Sequence, residues 1–480
     1  MGLAIVLLVM VTVRGEAVHA DSGAAATATV SAINTVWTLI AAFLVFGMQF
    51  GFVLLEAGFA RSRETINVVT EVLVNTCICG LTFWAWGFGL MFGPGSGLIG
   101  TSGFMLHGMA DTYGATGVPL LAFWLFQFAF ADTCSTIATG AMVGRCRFVG
   151  NLLYTVGVTG FVYPIIGHWA WGPDGWLATL SPVPFRDFAG STVVHSIGGA
   201  VSLAGAVVLG PRFGRVFARD GGGPMPPHNM ILGASGGLLL WFCWYGFNPG
   251  STLSAMDASG IARVAVNTTL AACAGGLVSL FYAQARTGHW SLSTATNGVL
   301  AGLVAITCPC YWVSSIGAVA IGAGGAIAMC AATDALEHVR VDDPVGAVPV
   351  HLAAGIWGTL SLGLLATGEH GMPTATGADV SATVTGLFYG GSVGQVVAQA
   401  TGSVAIVTAT LVTAFALMYG LHVLGLLRVS EHGERIGLDR HEHGATACPE
   451  VDGPPAGPTV VRPLEHKATA TVLPRARAAR

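Results

Sequence analysis

Charged residues make up only 9% of this 480-residue chain, and its formal net charge is −4, whereas a water-soluble domain carries roughly 25% charged residues. So few charges cannot cover a soluble protein of this size, and with no basic stripe ahead of the tail, nucleic-acid binding is excluded too. Apolar residues at 53%, with 68 glycines besides, leave a polytopic membrane protein, all-α because its apolar runs are about twenty residues long and do not alternate in ten-residue segments.

In chain order, Gly2 to Val13 is an apolar run too short to span a bilayer. Ala17-Val18-His19-Ala20 follows it, just ahead of Asp21 and Ser22. Residues 1–20 therefore read as a signal peptide, which places the mature N-terminus outside. From Ala32 onward the sequence predicts about eleven spans, near 32–58, 66–93, 119–142, 148–172, 188–210, 229–248, 261–284, 291–308, 314–337, 345–366 and 395–427. The membrane domain is thus 32–427. Glycine-rich faces such as Gly198, Gly199 and Gly205, or Gly322, Gly324 and Gly325, predict close helix packing.

Arginine placement sets the direction. The loops after spans one, three, five, seven and nine hold Arg61, Arg63, Arg145, Arg147, Arg212, Arg215, Arg219, Arg286 and Arg340, and the opposite loops hold only Arg186 and Arg263. This bias puts the N-terminus outside and the tail inside. The tail, 428–480, carries the chain's only lysine, Lys467, and turns Pro/Ala-rich from Pro454. It reads as a cytoplasmic segment with one short helix between Arg428 and His443, disordered from about 450. Most of the ten cysteines fall inside apolar runs and read as small buried hydrophobes. No Cys/His pairs at finger spacing point to a metal, and no H-E-x-x-H or G-x-S-x-G with a partner points to an enzyme.

Ionisable groups inside spans are costly, so each is a functional candidate. His195 in span five and His351 in span ten are each preceded eight positions earlier by an aspartate, Asp187 and Asp343. The two spans are equivalent if spans 1–5 and 6–10 are repeats. Five spans is an odd number, so the second copy is inverted, and the eleventh span is extra. Both histidines then approach one axis. Asp187 opens span five as a helix N-terminal anchor. His168 and His422 have no such symmetry and read as structural or interfacial.

Two facing imidazoles can share a proton, one nitrogen donating and one accepting. An apolar tunnel holding them suits a small polar molecule better than a bare cation, whose desolvation costs on the order of 20 kcal/mol. A cation would therefore be captured outside, stripped of a proton and passed on neutral. Trp171, Phe130 and Phe247 are candidates for an aromatic cage, with Ser251 as an acceptor. Spacing alone does not separate them from the aromatic belt of any membrane protein.

These residues lie in longer strings. Gly51-Phe-Val-Leu-Leu-Glu-Ala-Gly58, Asp187-Phe-Ala-Gly-Ser-Thr-Val-Val-His195, Trp244-Tyr-Gly-Phe-Asn-Pro-Gly-Ser251 and Val341-Asp-Asp-Pro344 followed by His351 resemble the ammonium transporter (Amt/Mep/Rh) family, its Amt branch above all. The likeness runs from about 32 to 444. It implies a homotrimer in the cell membrane, with eleven helices and one pore per protomer. The pore histidines would be His195 and His351. Ammonium, or its analogue methylammonium, would be recruited at Trp171, Phe130 and Ser251 and deprotonated, and ammonia would pass a gate of Phe130 and Phe247. Asp187 would shape the site from behind the pore wall. The tail motif from Arg428, with Gly437-Leu-Asp439 and His443-Gly444, would meet a PII-type regulator. Besides membrane lipid, no other partner, cofactor or metal is implied. The alternatives are a Rh-like facilitator of neutral gas, whose members usually lack the Trp171-type and Ser251-type cation site, and an ammonium sensor with little flux.

The chain departs from the family pattern in three places. Val143-Gly144-Arg145 stands where Ala-Glu-Arg is common, so an acidic loop anchor is missing. Pro349 and Leu352 flank His351 where small residues are usual, and they predict a kink and a bulky neighbour beside the pore. The tail runs His443-Gly-Ala-Thr-Ala-Cys448, without the usual Glu and Tyr.

Overall fold

A computed structural model of the chain describes residues 26–447. The expected signal peptide and the tail beyond about 450 lie outside the described residues. Among those described, ten helices are long and apolar enough to cross a bilayer, and an eleventh apolar helix is shorter. In order they are α1 Ala26–Phe59, α2 Ser62–Phe92, α3 Leu120–Met142, α4 Phe148–Trp171, α5 Ser191–Leu209, α6 Met230–Thr252, α7 Ala258–Thr287, α8 Leu292–Thr307, α9 Ser315–Val339, α10 Val348–Leu365 and α11 Val393–Val423. Two short hairpins, at Thr112–Pro119 and Met372–Asp379, decorate the loops after α2 and α10. The protein is multi-pass.

The two halves meet through equivalent helices. α1 lies against α6, where a Cβ on Gly58 would meet the backbone nitrogen of Gly233 at 2.2 Å and one on Gly236 would meet that of Leu55 at 2.3 Å. α5 lies against α10 by the same device. The glycine four residues after each histidine touches the residue just after the other histidine. A Cβ on Gly199 would lie 2.4 Å from the Leu352 nitrogen, and one on Gly355 would lie 2.6 Å from Ser196 Oγ. Without side chains at these points, backbones come together as small-residue faces allow. Burial follows this plan. In its most apolar stretch α5 is 83% buried, whereas α11, which packs on α5 and α10 from outside, is 28% buried.

The loops after α3, α5 and α9 and the start of the tail converge at one end of the bundle. Arg145 is fully buried and donates to the carbonyls of Gly210 (2.8 Å) and Asp342 (2.6 Å). Burial lowers its guanidinium to about 10, so it stays charged at neutral pH. Arg212 grips the Asp342 carboxylate with Nε at 2.8 Å and Nη2 at 2.9 Å. Arg428 reaches the carbonyl of Pro211 and the carboxylate of Glu434, both at 2.8 Å. The acidic group missing beside Gly144 is supplied from the first turn of α2: the buried Glu64 carboxylate, paired with Arg61, occupies the space a side chain there would fill.

The tail forms two short helices rather than one, α12 Glu431–Ile436 and α13 Leu438–His443, broken at Gly437. They are clasped to the bundle. The Asn67 backbone N–H donates to Asp439 at 2.9 Å near the start of α2, and that of Phe213 donates to Glu434 at 2.7 Å.

Asp342 supports a stability prediction. Burial alone would raise its carboxyl, but the Arg212 hydrogen bonds and the charges of Arg145 and Arg212 outweigh burial and hold it below the usual carboxylate range. Removing one member of a buried pair costs about 3–5 kcal/mol, so Asp342→Asn should melt well below the parent protein in detergent. Because the folded value is depressed, the contribution is fully present above about pH 4 and is lost as pH falls below that. An Asp342→Asn protein with the parent's melting midpoint at neutral pH would contradict this.

Candidate functional site

Both α5 and α10 begin three residues later than their apolar runs, because each run opens with a turn built on its aspartate. Asp187 Oδ1 accepts from the N–H groups of Gly190 and Ser191, both at 3.0 Å, and Oδ2 accepts from those of Thr192 and Val193, both at 2.9 Å. Asp343 accepts from Gly346 (3.0 Å), Ala347 (3.1 Å) and Val348 (2.8 Å). These are the amides that a helix start leaves unpaired, and a carboxylate there also suits the helix dipole. The turn requires a left-handed residue, supplied by Gly190 at φ +112° and Gly346 at φ +82°. Beyond each glycine the helix opens as a π-helical turn, Ser191–Ser196 and Val348–Ala353. Such turns are rare and concentrate at functional sites. Each contains one of the two histidines. The shared unit is Asp-x-x-Gly followed by four residues and His.

The repeat relation brings the rings together. His351 Nδ1 lies 3.2 Å from His195 Nδ1, and the ring centroids are 5.2 Å apart at 23°. His195 is wholly buried, and its Nε2 has no hydrogen-bond partner. Its ring stacks on Trp244 at 5.1 Å and on Phe247 at 5.2 Å. Phe247 in turn stacks on Phe130 at 4.1 Å and 24°. Phe130 meets Trp171 edge-on at 6.1 Å.

Beyond that phenylalanine pair opens a vestibule of about 240 Å³, lined by Trp171, Phe130 and Ser251 together with Tyr113, Phe126, Gln127 and Phe188. It lies at the end of the bundle opposite the arginine-rich loops, where α4 and α6 finish. On the far side of the histidines, His351 helps line a cavity of about 10 Å³. The order along the axis is vestibule, Phe130 on Phe247, His195, His351, cavity. Asp187 stands outside this line, and its carbonyl receives the Trp171 indole N–H at 2.8 Å. Ser251 Oγ donates to the Phe247 carbonyl at 2.7 Å, which leaves the hydroxyl's lone pairs to the vestibule.

Pro349 occupies the second position of the opening turn, where a proline is tolerated. The backbone and Cβ of Leu352 pack closely on Gly199. His168 is buried between the carbonyls of Met91 and Ser96, each at 2.8 Å, and joins α4 to the loop after α2. His422 is exposed beside Tyr419.

Sequence reasoning missed Trp244, whose indole donates to Thr307 at 3.0 Å and so holds the His195 ring from behind. It also missed most of the vestibule wall. The signal was present: Phe123, Phe126, Gln127 and Phe130 recur at helical spacing and share one face of α3. Among the described residues no cluster of His, Cys, Asp or Glu is arranged to hold a metal, and the nine described cysteines are free.

An inverted helical bundle with an aromatic vestibule leading to a buried imidazole pair is the architecture of a membrane transporter for a small solute. The chain matches the model of the Ammonium Transporter Family over residues 36–448, and it belongs to that family. It is 39% identical to the ammonium transporter Amt2 of Archaeoglobus fulgidus over 87% of this chain and 88% of that one. It is 36% identical to ammonium transporter 1 member 3 of Solanum lycopersicum over 86% and 93%. Among solved structures, it is similar to one described as a sensor Amt protein, at 35% identity and a TM-score of 0.77, covering 86% of this chain and 98% of that one. It is also similar to Mep2 of Candida albicans, at 29% identity and a TM-score of 0.76, covering 91% and 94%.

Proposed function

We propose that this protein recruits ammonium at the vestibule, removes one proton there, and passes ammonia between Phe130 and Phe247 and along His195 and His351. The observation that carries this reading is the single line formed by vestibule, stacked phenylalanines and paired imidazoles. Each aromatic face at the vestibule adds about 0.5–2 kcal/mol for an ammonium-type cation, and the Ser251 lone pairs accept one N–H. The next stretch is apolar and closed by two rings in contact. A cation entering it would face a desolvation cost on the order of 20 kcal/mol, whereas a neutral amine would not. The Asp187 carboxylate is fully engaged by backbone amides, so its role is to fix Trp171 and the His195 turn rather than to meet the ion.

The vestibule faces outside in this reading, since the opposite end carries the arginines that favour the cytoplasm. The cell membrane, a homotrimer and a PII-type regulator at α12 and α13 belong to the same proposal. The combination of Trp171 and Ser251 at the vestibule favours ammonium recruitment over Rh-like gas conduction.

The test is ammonium flux and current in proteoliposomes on an ammonium jump, with potassium and methylammonium as controls. Saturable ammonium flux without a potassium current supports the proposal. Ammonia-dependent pH change without saturation favours the gas facilitator, and binding without flux favours a sensor. Ser251→Ala should raise the half-saturating ammonium concentration about fivefold, as loss of a hydrogen bond worth about 1 kcal/mol predicts, with little change in maximal rate. An unaltered half-saturation would remove Ser251 from the recruitment site.

A further inference from the structure

The cavity beyond His351 has a polar lining that the pathway above does not use. Glu56, near the inner ends of α1 and α3, is 1% exposed, yet it lines this cavity. Its two oxygens lie 3.0 and 2.9 Å from the Thr139 hydroxyl oxygen, which is itself 2.6 Å from the Thr136 carbonyl. Among the described residues it has no cationic partner, and the charged groups that act on it, Glu71 and Asp343, are acidic. An ionisable group buried at this depth without a counter-ion is rarely structural. The same cavity receives Asn297, whose Nδ2 donates to the Val345 carbonyl at 3.1 Å while its Oδ1 is buried without a partner. His351 completes the polar set. The remaining wall is apolar, with Phe52 and Leu300 among it. The cavity's size, about 10 Å³, is that of a site for one water-sized molecule. It therefore presents a carboxyl group, an orphaned amide oxygen and an imidazole to a guest of one heavy atom.

We propose that this cavity is a second, inner ammonium site, with Glu56 as counter-charge and proton donor. The inference rests on the transport reading above and adds an end-point to it. Ammonia leaving His351 meets the Glu56 carboxylic acid. The O–H bond breaks, the nitrogen lone pair forms an N–H bond, and ammonium is left paired with the carboxylate and Asn297 Oδ1. When the ion departs to the inner solution, the carboxylate takes a new proton from a hydronium ion there. Without such a step the neutral molecule could slip back along the path it came by.

The test uses the full-length protein in two arms. In proteoliposomes with ammonium applied from either face, Glu56→Gln keeps the shape and loses the charge. It should raise half-saturation from the inner face at least about tenfold, the worth of a charge-assisted hydrogen bond, and leave the outer value within about twofold. Asn297→Leu should raise the inner value alone, by a smaller factor, and this variant serves if Glu56→Gln does not fold. In the second arm, infrared difference spectra of nanodisc-held protein are recorded on adding ammonium chloride. The parent protein should lose a carboxylic-acid carbonyl band that Glu56→Gln lacks. A parent protein that transports ammonium while both variants match it from both faces overturns the inner site and leaves transport standing. A parent protein with no ammonium flux removes the transport reading. In that case the infrared band, present or absent, still decides whether Glu56 meets ammonium.

Discussion

Asp187→Ala is expected to reduce ammonium transport to below about one per cent of the parent rate. The Asp187 carboxylate receives four backbone N–H groups, and a buried donor left unpaired costs about 1–3 kcal/mol. Losing all four removes the reason for the left-handed turn at Gly190 and the π-helical opening of α5, the segment that aims His195. The Trp171 indole keeps its acceptor, the backbone carbonyl of residue 187, but the turn that fixes that carbonyl in place is gone. One substitution therefore disturbs both the vestibule and the first ring. Asp187→Asn, which keeps one oxygen as acceptor, should retain more activity than the alanine variant. Proteoliposome flux, read beside a melting curve, makes the measurement. If Asp187→Ala were no worse than Ser251→Ala, the aspartate would be only a helix cap.

His195→Ala should lower net ammonium flux at least about tenfold or abolish discrimination against potassium. The ring fills the space between Phe247, Trp244 and His351, and its Nδ1 lies within hydrogen-bonding distance of His351 Nδ1. Its removal replaces the polar foothold with a gap. A dry gap strands the passing ammonia without a partner, whereas a wet gap admits hydrated ions. Transport unchanged in both rate and selectivity would remove the imidazole pair from the mechanism.

The helices and their order were legible because bilayer spans announce themselves by length and apolarity, and the arginine-rich loops do meet at one end. The histidine pair was legible for a different reason: equal spacing from two aspartates, which only a repeat explains. What stayed hidden depends on contacts between distant segments. Pro349 suggests a kink in a helix read alone, yet it falls in the opening turn, because the Asp343 turn delays the helix start. The missing loop acid at Gly144 could not be traced to Glu64, some eighty residues away in the chain. Trp244 looked like one aromatic among many until the His195 ring was placed on it. Glu56 sat unremarked within a recognisable string, since nothing in one dimension says that an α1 carboxyl reaches a cavity floored by α8 and α10.

The contact between like nitrogens of the two imidazoles has a directional consequence. Only one of the facing Nδ1 atoms can carry the hydrogen, so the neutral rings are obliged to be opposite tautomers. A proton relayed across them would leave both tautomers reversed, and a second could not follow until the rings were reset. A neutral guest that merely brushes past leaves the tautomers as they were. The pair is thus a one-shot switch for protons and an open passage for ammonia.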